Sequence, residues 1–303
     1  AALQRRLIHS RPFWRSHTVS DTPFPESPPK LPSQGHSSIR NQLISALAWP
    51  MKSLVRRLVG DVFYQQARVT LLRELGGVGL DWRWGNSLRR VHPIRRDFGW
   101  QSGRPIDRYY TEDRFLPAHQ LDIRGRVLEI GDDRYTRQFG GERVTLSEIL
   151  HVNAGLGGNV IQADLTDARQ IASNTYDCVI LTFTLQFIFD VPAAITTLAR
   201  ILRPGGVVLV VVPGISQISR YDMDHWGEFW RFTSLSARRL FERAFRPEDI
   251  TITTYGNVLS CLASLHGLHS TELTKAELDH LDRDYEFVIG IRAVKREDHR
   301  IGT

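Results

Sequence analysis

Residues 127–140 read VLEIGDDRYTRQFG and join a strand pattern to a glycine turn. The segment begins with apolar residues and reaches Gly131, which is typical of a buried strand that ends where the backbone turns sharply. The positions that follow depart from a glycine-rich loop, because Asp133 and Tyr135 stand where further glycines are expected. The stretch therefore predicts a strand and a tight turn, and leaves the role of the turn to be argued from the rest of the chain.

Short apolar runs alternate with helical stretches on the C-terminal side of this segment. The β-branched-rich runs are RVLEI (126–130), NVIQAD (159–164), YDCVILTF (176–183) and GVVLVVVP (206–213). Residues 191–206 predict a helix ended by proline and glycines. Strands that are apolar on both faces and separated by helices indicate a mainly parallel sheet covered on both sides.

The last hundred residues predict a different strand arrangement. A helix at 235–245 is followed by EDITITTYG (248–256) and DYEFVIGIRAVK (284–295), two strand patterns with no convincing helix between them. We interpret them as an antiparallel pair at one edge of the sheet.

Taken in order, these segments resemble the class I S-adenosylmethionine-dependent methyltransferases, in particular the group with the methyltransferase type 11 pattern. The resemblance extends over roughly residues 105–295. The matching motifs are VLEIG (127–131), QADLTD (162–167), YDCVILTFTLQFIFD (176–190) and RILRPGGVVLVVVPG (200–214). The resemblance implies an α/β, Rossmann-like fold with a mainly parallel seven-stranded sheet, an antiparallel edge strand, and helices on both faces. It also implies S-adenosylmethionine as the cofactor.

The resemblance implies cofactor-binding roles at the carboxyl ends of the strands, where ligands of such sheets bind. Gly131 lets the backbone approach the methionine moiety, and Glu129 orients the loop or reaches the cofactor's ammonium group. Glu148 is the candidate for the ribose hydroxyls. The remaining candidates are Asp164 and the Leu165 amide for the adenine, and Gln186 for the neighbourhood of the sulfonium.

The altered loop bears on cofactor affinity more than on the fold. The family pattern Glu-x-Gly-x-Gly-x-Gly has glycine where this chain has Asp133 and Tyr135. A sulfonium needs no phosphate cradle, so fewer amide donors suffice and acids in the loop are tolerable. We therefore expect binding, with Asp132 or Asp133 capping the next helix or meeting the cofactor's amino group. The alternative is a non-catalytic interaction module with a degenerate glycine loop.

Residues 213–234, PGISQISRYDMDHWGEFWRFTS, are the candidate chemical site. His225 suits a general base by its ordinary pKa, and Asp222 or Asp224 acts directly or orients it. A surface or packing role for the histidine is the competing interpretation. Trp226 and Trp230 are four residues apart and predict one helical face, either a sugar-stacking platform or a hydrophobic plug. No third ligand accompanies the two aspartates at a defined spacing, so we predict no metal.

This loop predicts O-methylation of a small molecule or a glycoconjugate by in-line transfer, with an acid or the histidine as base. Tyr109 and Tyr110, which precede the first strand, either close over the cofactor or pack as an ordinary helix. A nucleic-acid substrate is ranked last, because its only support is a basic pI of about 9.6 and no motif used on flipped bases occurs.

The N-terminal third lies outside the resemblance. We divide the 303 residues into a disordered basic, proline-rich tail (1–38), a helical extension (39–103) and a methyltransferase domain (104–303). Residues 39–59 predict a basic amphipathic helix that lies on an anionic membrane surface or packs on the domain. We predict a cytoplasmic protein, although residues 1–20 superficially resemble a transit peptide.

The two cysteines, Cys178 and Cys261, predict neither a disulfide framework nor a cysteine-based metal site. Cys178 lies inside an apolar run, so reduced, mostly buried thiols are expected. The sequence leaves the oligomeric state open.

Overall fold

The computed structural model describes residues 91–100, 103–152 and 159–296. The predicted tail (1–38), the amphipathic helix (39–59) and most of the predicted helical extension lie outside the described residues.

One seven-stranded sheet organises the described chain. Its strands are β1 (Gly125–Ile130), β2 (Val144–His151), β3 (Val160–Gln162), β4 (Tyr176–Thr182), β5 (Leu202–Pro213), β6 (Ile250–Tyr255) and β7 (Val288–Val294). Their spatial order is β3-β2-β1-β4-β5-β7-β6. Strands β1 to β5 pair in parallel, whereas β7 pairs antiparallel with both β5 and β6. This confirms the predicted mainly parallel sheet with an antiparallel pair at one edge.

The helices connect these strands on both faces. They are α1 (Ile106–Tyr110), α2 (Leu116–Ala118), α3 (Val191–Ile201), α4 (Arg220–His225), α5 (Ser234–Phe241), α6 (Val258–Leu265) and α7 (Lys275–Asp279). A π-helical turn, Thr111–Phe115, joins α1 to α2, and a second one, Thr136–Gly140, follows β1. The expectation of no helix between β6 and β7 was wrong, because α6 and α7 lie there. Asn257 and Thr274 begin these two helices with capping boxes.

The central strands are buried on both faces, as their unbroken apolar runs predict. Along β4, Cys178 and Ile180 pack in one hydrophobic cluster, whereas Val179 and Leu181 pack in the cluster on the opposite side. Successive side chains of a strand point to opposite faces, so both faces of the sheet carry a core. Cys178 and Cys261 are free thiols inside this core.

The strand order reverses between β1 and β4: the chain runs from β1 outward to β2 and β3 on one side, and from β4 outward to β5 on the other. The carboxyl ends of the parallel strands meet there at one edge of the sheet, where ligands of open α/β sheets bind. Tyr109 and Tyr110 do not reach this edge as a cover. The Tyr110 hydroxyl donates to the Leu278 carbonyl at 2.8 Å and the Tyr109 hydroxyl to Asp279 at 2.6 Å, so the packing interpretation holds.

No helix in the described part of the chain combines the length and the hydropathy needed to cross a bilayer.

Candidate functional site

Gly131 ends β1 in a backbone conformation that suits glycine, with φ of +94°. Its amide donates to the Leu150 carbonyl of β2 at 3.0 Å, which holds the turn against the neighbouring strand. Among the described residues, no heavy atom lies within 4 Å of where a Cβ at this position would stand. The turn therefore faces open space at the carboxyl end of β1, as a cofactor approaching the backbone requires.

Glu129 supports this turn from below. Its buried carboxylate accepts hydrogen bonds from the Tyr135 amide at 3.2 Å, and from the amide and the hydroxyl of Thr136 at 2.7 Å each. Of the two roles expected for Glu129, this geometry corresponds to orienting the loop. Contrary to the expectation, Asp132 and Asp133 do not cap the helical turn that follows β1. The Asp132 carboxylate accepts from the Arg134 amide within its own turn, and Glu129 holds the amides of the helical turn.

Burial raises the pKa of Glu129 from 4.5 to about 7, because desolvation outweighs the three hydrogen bonds that favour the carboxylate. A carboxyl whose folded pKa is raised contributes stability that is present below pH 4.5 and lost as the pH rises through 7. We expect the stability of the wild-type chain, relative to Glu129→Gln, to fall by an amount on the order of 3 kcal/mol between pH 4.5 and pH 8.

Urea unfolding at several pH values measures this difference. Glu142→Gln, at an exposed turn, is the matched control and should leave the pH dependence of the wild type unchanged. Parallel stability curves for wild type and Glu129→Gln would show that the Glu129 carboxyl does not titrate in this range.

Glu148 does not lie where a ribose ligand is expected. It sits inside β2, paired in register with Leu128, and its carboxylate accepts from Arg126 Nε at 2.7 Å and Nη2 at 3.1 Å. The strand continues to His151, so the position at its carboxyl end falls at His151. The assignment to Glu148 is therefore corrected, because Glu148 lies within β2 and its carboxylate is already held by Arg126.

Asp164 and Leu165 follow β3 at the expected edge of the sheet. The Asp164 carboxylate accepts from the amide and the hydroxyl of Thr166, both at 2.8 Å, and the residue is exposed, whereas the Leu165 side chain is buried. The position suits the adenine role that the resemblance implies. That role stays a prediction.

Gln186 lies in a short helical turn after β4 and is buried. Its Nε2 donates to the Phe183 carbonyl at 2.8 Å. Its Oε1 is buried and has no hydrogen-bond partner among the described residues. A buried acceptor without a donor is costly, which makes this amide a candidate for contact with a ligand.

A pocket of about 180 Å³ opens beside Gln186. It lies between α1, the turn after β4 and the loop after β5. Its polar lining includes Asp107, Arg108, Gln186, Asp222 and Glu228, and its aromatic lining includes Phe183, Phe187 and Phe287. Gln186 and Asp222 are thus the two predicted site residues that the fold brings into one cavity.

The other two predicted catalytic residues lie outside this pocket lining. On α4, His225 is exposed, its Nδ1 lies 2.7 Å from the Tyr221 carbonyl, and its ring stacks on Tyr221. Asp224 is exposed and pairs with Arg220 at 3.5 Å. A helix turns about 100° per residue, so Asp222 can face the pocket while Asp224 faces solvent. Of the three predicted catalytic residues, Asp222 alone lines the pocket, and the catalytic role of each stays a prediction.

The expected helical pairing of Trp226 and Trp230 was wrong, because α4 ends at His225. Trp226 makes an edge contact with the His151 ring, and Trp230 donates its indole N–H to the Ile188 carbonyl at 3.0 Å. Both indoles are partly exposed, so neither is a buried plug.

Sequence reasoning missed Asp107, Arg108 and Glu228. Arg108 donates to the Tyr135 hydroxyl at 2.8 Å, which ties the pocket to the turn that begins at Gly131. Its guanidinium also lies over the Phe183 ring, 5.0 Å from the centroid. Glu228 is held by Arg231 at 2.8 Å and by the Ser219 amide at 2.8 Å. The only local signal for Asp107 and Arg108 was the adjacent acid and base in IDRYY (106–110). The contacts themselves link segments far apart in the chain, so no local pattern predicts them.

Phe183 carries backbone strain at the pocket wall. Its φ is +50°, in the left-handed region that a bulky residue rarely adopts. Its amide donates to the Val211 carbonyl at 2.8 Å, and its carbonyl accepts from Gln186. Strain of this kind, about 1–3 kcal/mol, is maintained where the surroundings over-determine the backbone, and it clusters at binding sites.

Within the described ranges, no group of three or more histidine, cysteine, aspartate or glutamate side chains is arranged to hold a metal ion.

Comparison with known proteins agrees with this geometry. Residues 115–210 match the family model described as a methyltransferase domain. This match and the strand order confirm the class I methyltransferase resemblance, and they imply S-adenosylmethionine as the cofactor. The residues present fit that cofactor, since the Gly131 turn leaves space that a side chain would fill.

Among curated proteins, the chain is similar to the ubiquinone/menaquinone biosynthesis C-methyltransferase UbiE of several bacteria. It is 29% identical over 143 residues to the Escherichia coli protein, an alignment that covers 45% of this chain and 57% of the relative. It is 32% identical over 92 residues to the Haemophilus ducreyi protein, which covers 30% of this chain and 29% of that relative. The chain thus spans less than two thirds of the length of these relatives.

Among solved structures, a SAM-dependent methyltransferase from Archaeoglobus fulgidus aligns with a TM-score of 0.41 and 13% identity, covering 63% of this chain and 92% of the other. An S-adenosylmethionine-dependent methyltransferase from Mesorhizobium loti aligns with a TM-score of 0.41 and 16% identity, covering 65% and 100%. The strand order of the sheet, not this distant likeness, carries the fold assignment.

Proposed function

We propose that this class I methyltransferase domain transfers a methyl group from S-adenosylmethionine to the hydroxyl oxygen of a small molecule or glycoconjugate. The observation that carries the proposal is the pairing of an open left-handed turn at Gly131 with an adjoining polar pocket. Arg108, a residue of the pocket lining, donates to Tyr135 in the turn that follows Gly131, and this hydrogen bond connects the two features.

When bound, the cofactor supplies an electrophilic methyl group. The chain's own residues then have to hold the acceptor in line and take up the hydroxyl proton. We assign the proton to the Asp222 carboxylate, because Asp222 is the only residue of the predicted set of three in the pocket lining. Glu228 is held in place by Arg231 and the Ser219 amide, which suits a positioning role for the loop.

The acceptor atom has a second candidate. The relatives from Escherichia coli and Haemophilus ducreyi are named as C-methyltransferases, which favours transfer to carbon. The presence of acids in the pocket lining supports oxygen, because a carboxylate can take up the proton of an acceptor hydroxyl. A non-catalytic module is the least favoured alternative, since the Gly131 turn keeps both the conformation and the open space that binding needs.

An assay of S-adenosylhomocysteine release with S-adenosylmethionine and a panel of cyclic alcohols and hydroquinones tests the proposal. Carbon-13 NMR of the methyl-labelled product distinguishes a methoxy group from a C-methyl group. We expect a methoxy product, and we expect Asp222→Asn to lower kcat by about 100-fold.

His225→Ala and Asp224→Asn are the matched controls on the same helix, and both should retain near-wild-type kcat. Equal losses in all three variants would indicate disruption of α4, not removal of a base. A C-methyl product would overturn the oxygen assignment and leave methyl transfer standing.

A further inference from the structure

The pocket beside Gln186 is too small to enclose an extended acceptor. Its volume of about 180 Å³ is close to that of a cavity that holds a single benzene-sized ring, about 150 Å³. A larger acceptor therefore places one ring inside and extends outward.

The lining combines aromatic and polar residues. Phe183, Phe187 and Phe287 provide aromatic surface for the faces of a ring. Asp107, Asp222 and Glu228 place carboxylates around it, and Ser216 and Ser219 add hydroxyls. Carboxylates accept hydrogen bonds and donate none, so the ring's edge has to carry donors.

The charges of the lining exclude one class of acceptor. Three acids line the pocket, and Glu228 among them is already paired with Arg231. Asp107 and Asp222 share the lining with one arginine, Arg108, which donates to Tyr135. A carboxylate-bearing acceptor would meet net repulsion in this pocket. A quinone carbonyl only accepts hydrogen bonds, so it offers no donor to the Asp222 carboxylate.

Two buried polar atoms of the lining residues lack partners among the described residues: Gln186 Oε1 and Arg108 Nε. One is an acceptor and the other is a donor, and a hydroxyl group can serve both. Both atoms are shielded from solvent, so we expect ligand binding to turn these side chains toward the ligand. A bound hydroxylated ring would supply hydrogen bonds to the unpaired polar atoms of Gln186 and Arg108.

We propose that this pocket binds a neutral, polyhydroxylated ring of monosaccharide size, and that Gln186 and Arg108 determine its specificity. The inference rests on the proposed function, whose acceptor it narrows from any small hydroxyl compound to a sugar-like ring.

Saturation-transfer NMR on the full chain, with S-adenosylhomocysteine present, tests this proposal. The probes are a panel of methyl aldohexopyranosides, with tetrahydropyran as the ring that lacks hydroxyls and hexuronic acids as the charged counterparts. We expect at least one glycoside to bind in the millimolar range or tighter. Tetrahydropyran should bind at least about tenfold more weakly, since each lost hydrogen bond is worth about that factor. The hexuronic acids should also bind at least about tenfold more weakly, because their carboxylate is repelled by the acids of the lining.

Gln186→Leu and Arg108→Lys should each weaken binding of that glycoside by about tenfold or more. The exposed residues Gln120 and Arg169 supply the matched controls, Gln120→Leu and Arg169→Lys, which should bind as the wild type does. Thermal melts confirm that each variant is folded. Because two different lining residues are tested, loss of one variant to misfolding leaves the other decisive.

Failure of the inference is separable from failure of the proposed function. Titration of S-adenosylhomocysteine into the same samples reports the cofactor site independently. If the cofactor binds but no glycoside does, or if tetrahydropyran binds as well as the glycosides, the sugar-like acceptor is wrong while methyl transfer stands. If glycoside binding is equal in wild type, Gln186→Leu and Arg108→Lys, the specificity assignment is wrong.

Discussion

The Gly131→Arg variant is expected to lose S-adenosylmethionine affinity by about 100-fold or more while the fold is retained. Gly131 has a φ of +94°, and no described heavy atom lies near its missing Cβ. An arginine there would extend into the space that we assign to the cofactor. Its positive charge would also oppose the sulfonium. Isothermal titration calorimetry with S-adenosylmethionine and S-adenosylhomocysteine measures the change.

Gly141→Arg is the matched control for this variant. Gly141 also has a positive φ, +55°, and open space where a Cβ would stand, but it precedes β2 at the opposite edge of the sheet. Both variants therefore place the same charged side chain on a backbone of positive φ, and they differ in location. We expect Gly141→Arg to bind the cofactor as the wild type does. Equal losses in both variants would point to strain or charge alone and would remove the argument for a cofactor space at Gly131.

The Gly214→Ala variant is expected to destabilise the domain by about 2–4 kcal/mol. Gly214 follows β5, and its amide donates to the Phe287 carbonyl at 2.9 Å. A methyl group at this position would overlap the carbonyl oxygen of Glu286, which accepts from the Ile215 amide at 3.0 Å. Backbone atoms on both sides are held by these hydrogen bonds, so the overlap is relieved only by moving the start of the loop away from β7.

Urea unfolding monitored by circular dichroism measures the loss of stability. Gly205→Ala is the control, because Gly205 has a φ of +79° but open space around the missing Cβ. Its cost should be about 1 kcal/mol, from backbone strain alone. A smaller cost for Gly214→Ala than for Gly205→Ala would show that the chain at Gly214 adjusts freely. Since Gly214 begins the loop that carries Asp222, Gly214→Ala should also weaken acceptor turnover.

The order and type of the central elements could be predicted from the chain alone. The unbroken apolar runs of β4 and β5 reflect burial on both faces, and this burial is a property of each segment that local composition records. The turn at Gly131 was equally local, because a strand followed by glycine reflects the φ of one residue. The helices between β6 and β7 were missed because α6 and α7 are short, although their capping boxes are helix-start signals that the sequence contains.

The functional residues divide in the same way. Glu129 and Gln186 were identified because each lies at the end of a recognisable strand, and strand ends meet at one edge in a parallel sheet. Glu148 was misplaced by a few residues along β2, and in a strand that distance moves a side chain away from the edge. The sequence could not tell which of Asp222, Asp224 and His225 faces the cavity. That choice depends on how α4 is rotated about its axis in the folded chain.

The proposed acceptor pocket is formed only by the tertiary structure, because its lining residues come from distant segments of the chain. Asp107 and Arg108 on α1 meet Gln186 after β4 and Asp222 after β5, across more than a hundred positions of the chain. No local pattern encodes such a meeting, because it depends on how helices and loops pack over the finished sheet. The amino-acid sequence was sufficient for the sheet and its turn, since periodicity and glycine placement reflect burial and backbone conformation locally, whereas the resemblance of the motifs implied the cofactor. The base and the shape of the acceptor site depend on contacts between distant segments, and these exist only in the folded chain.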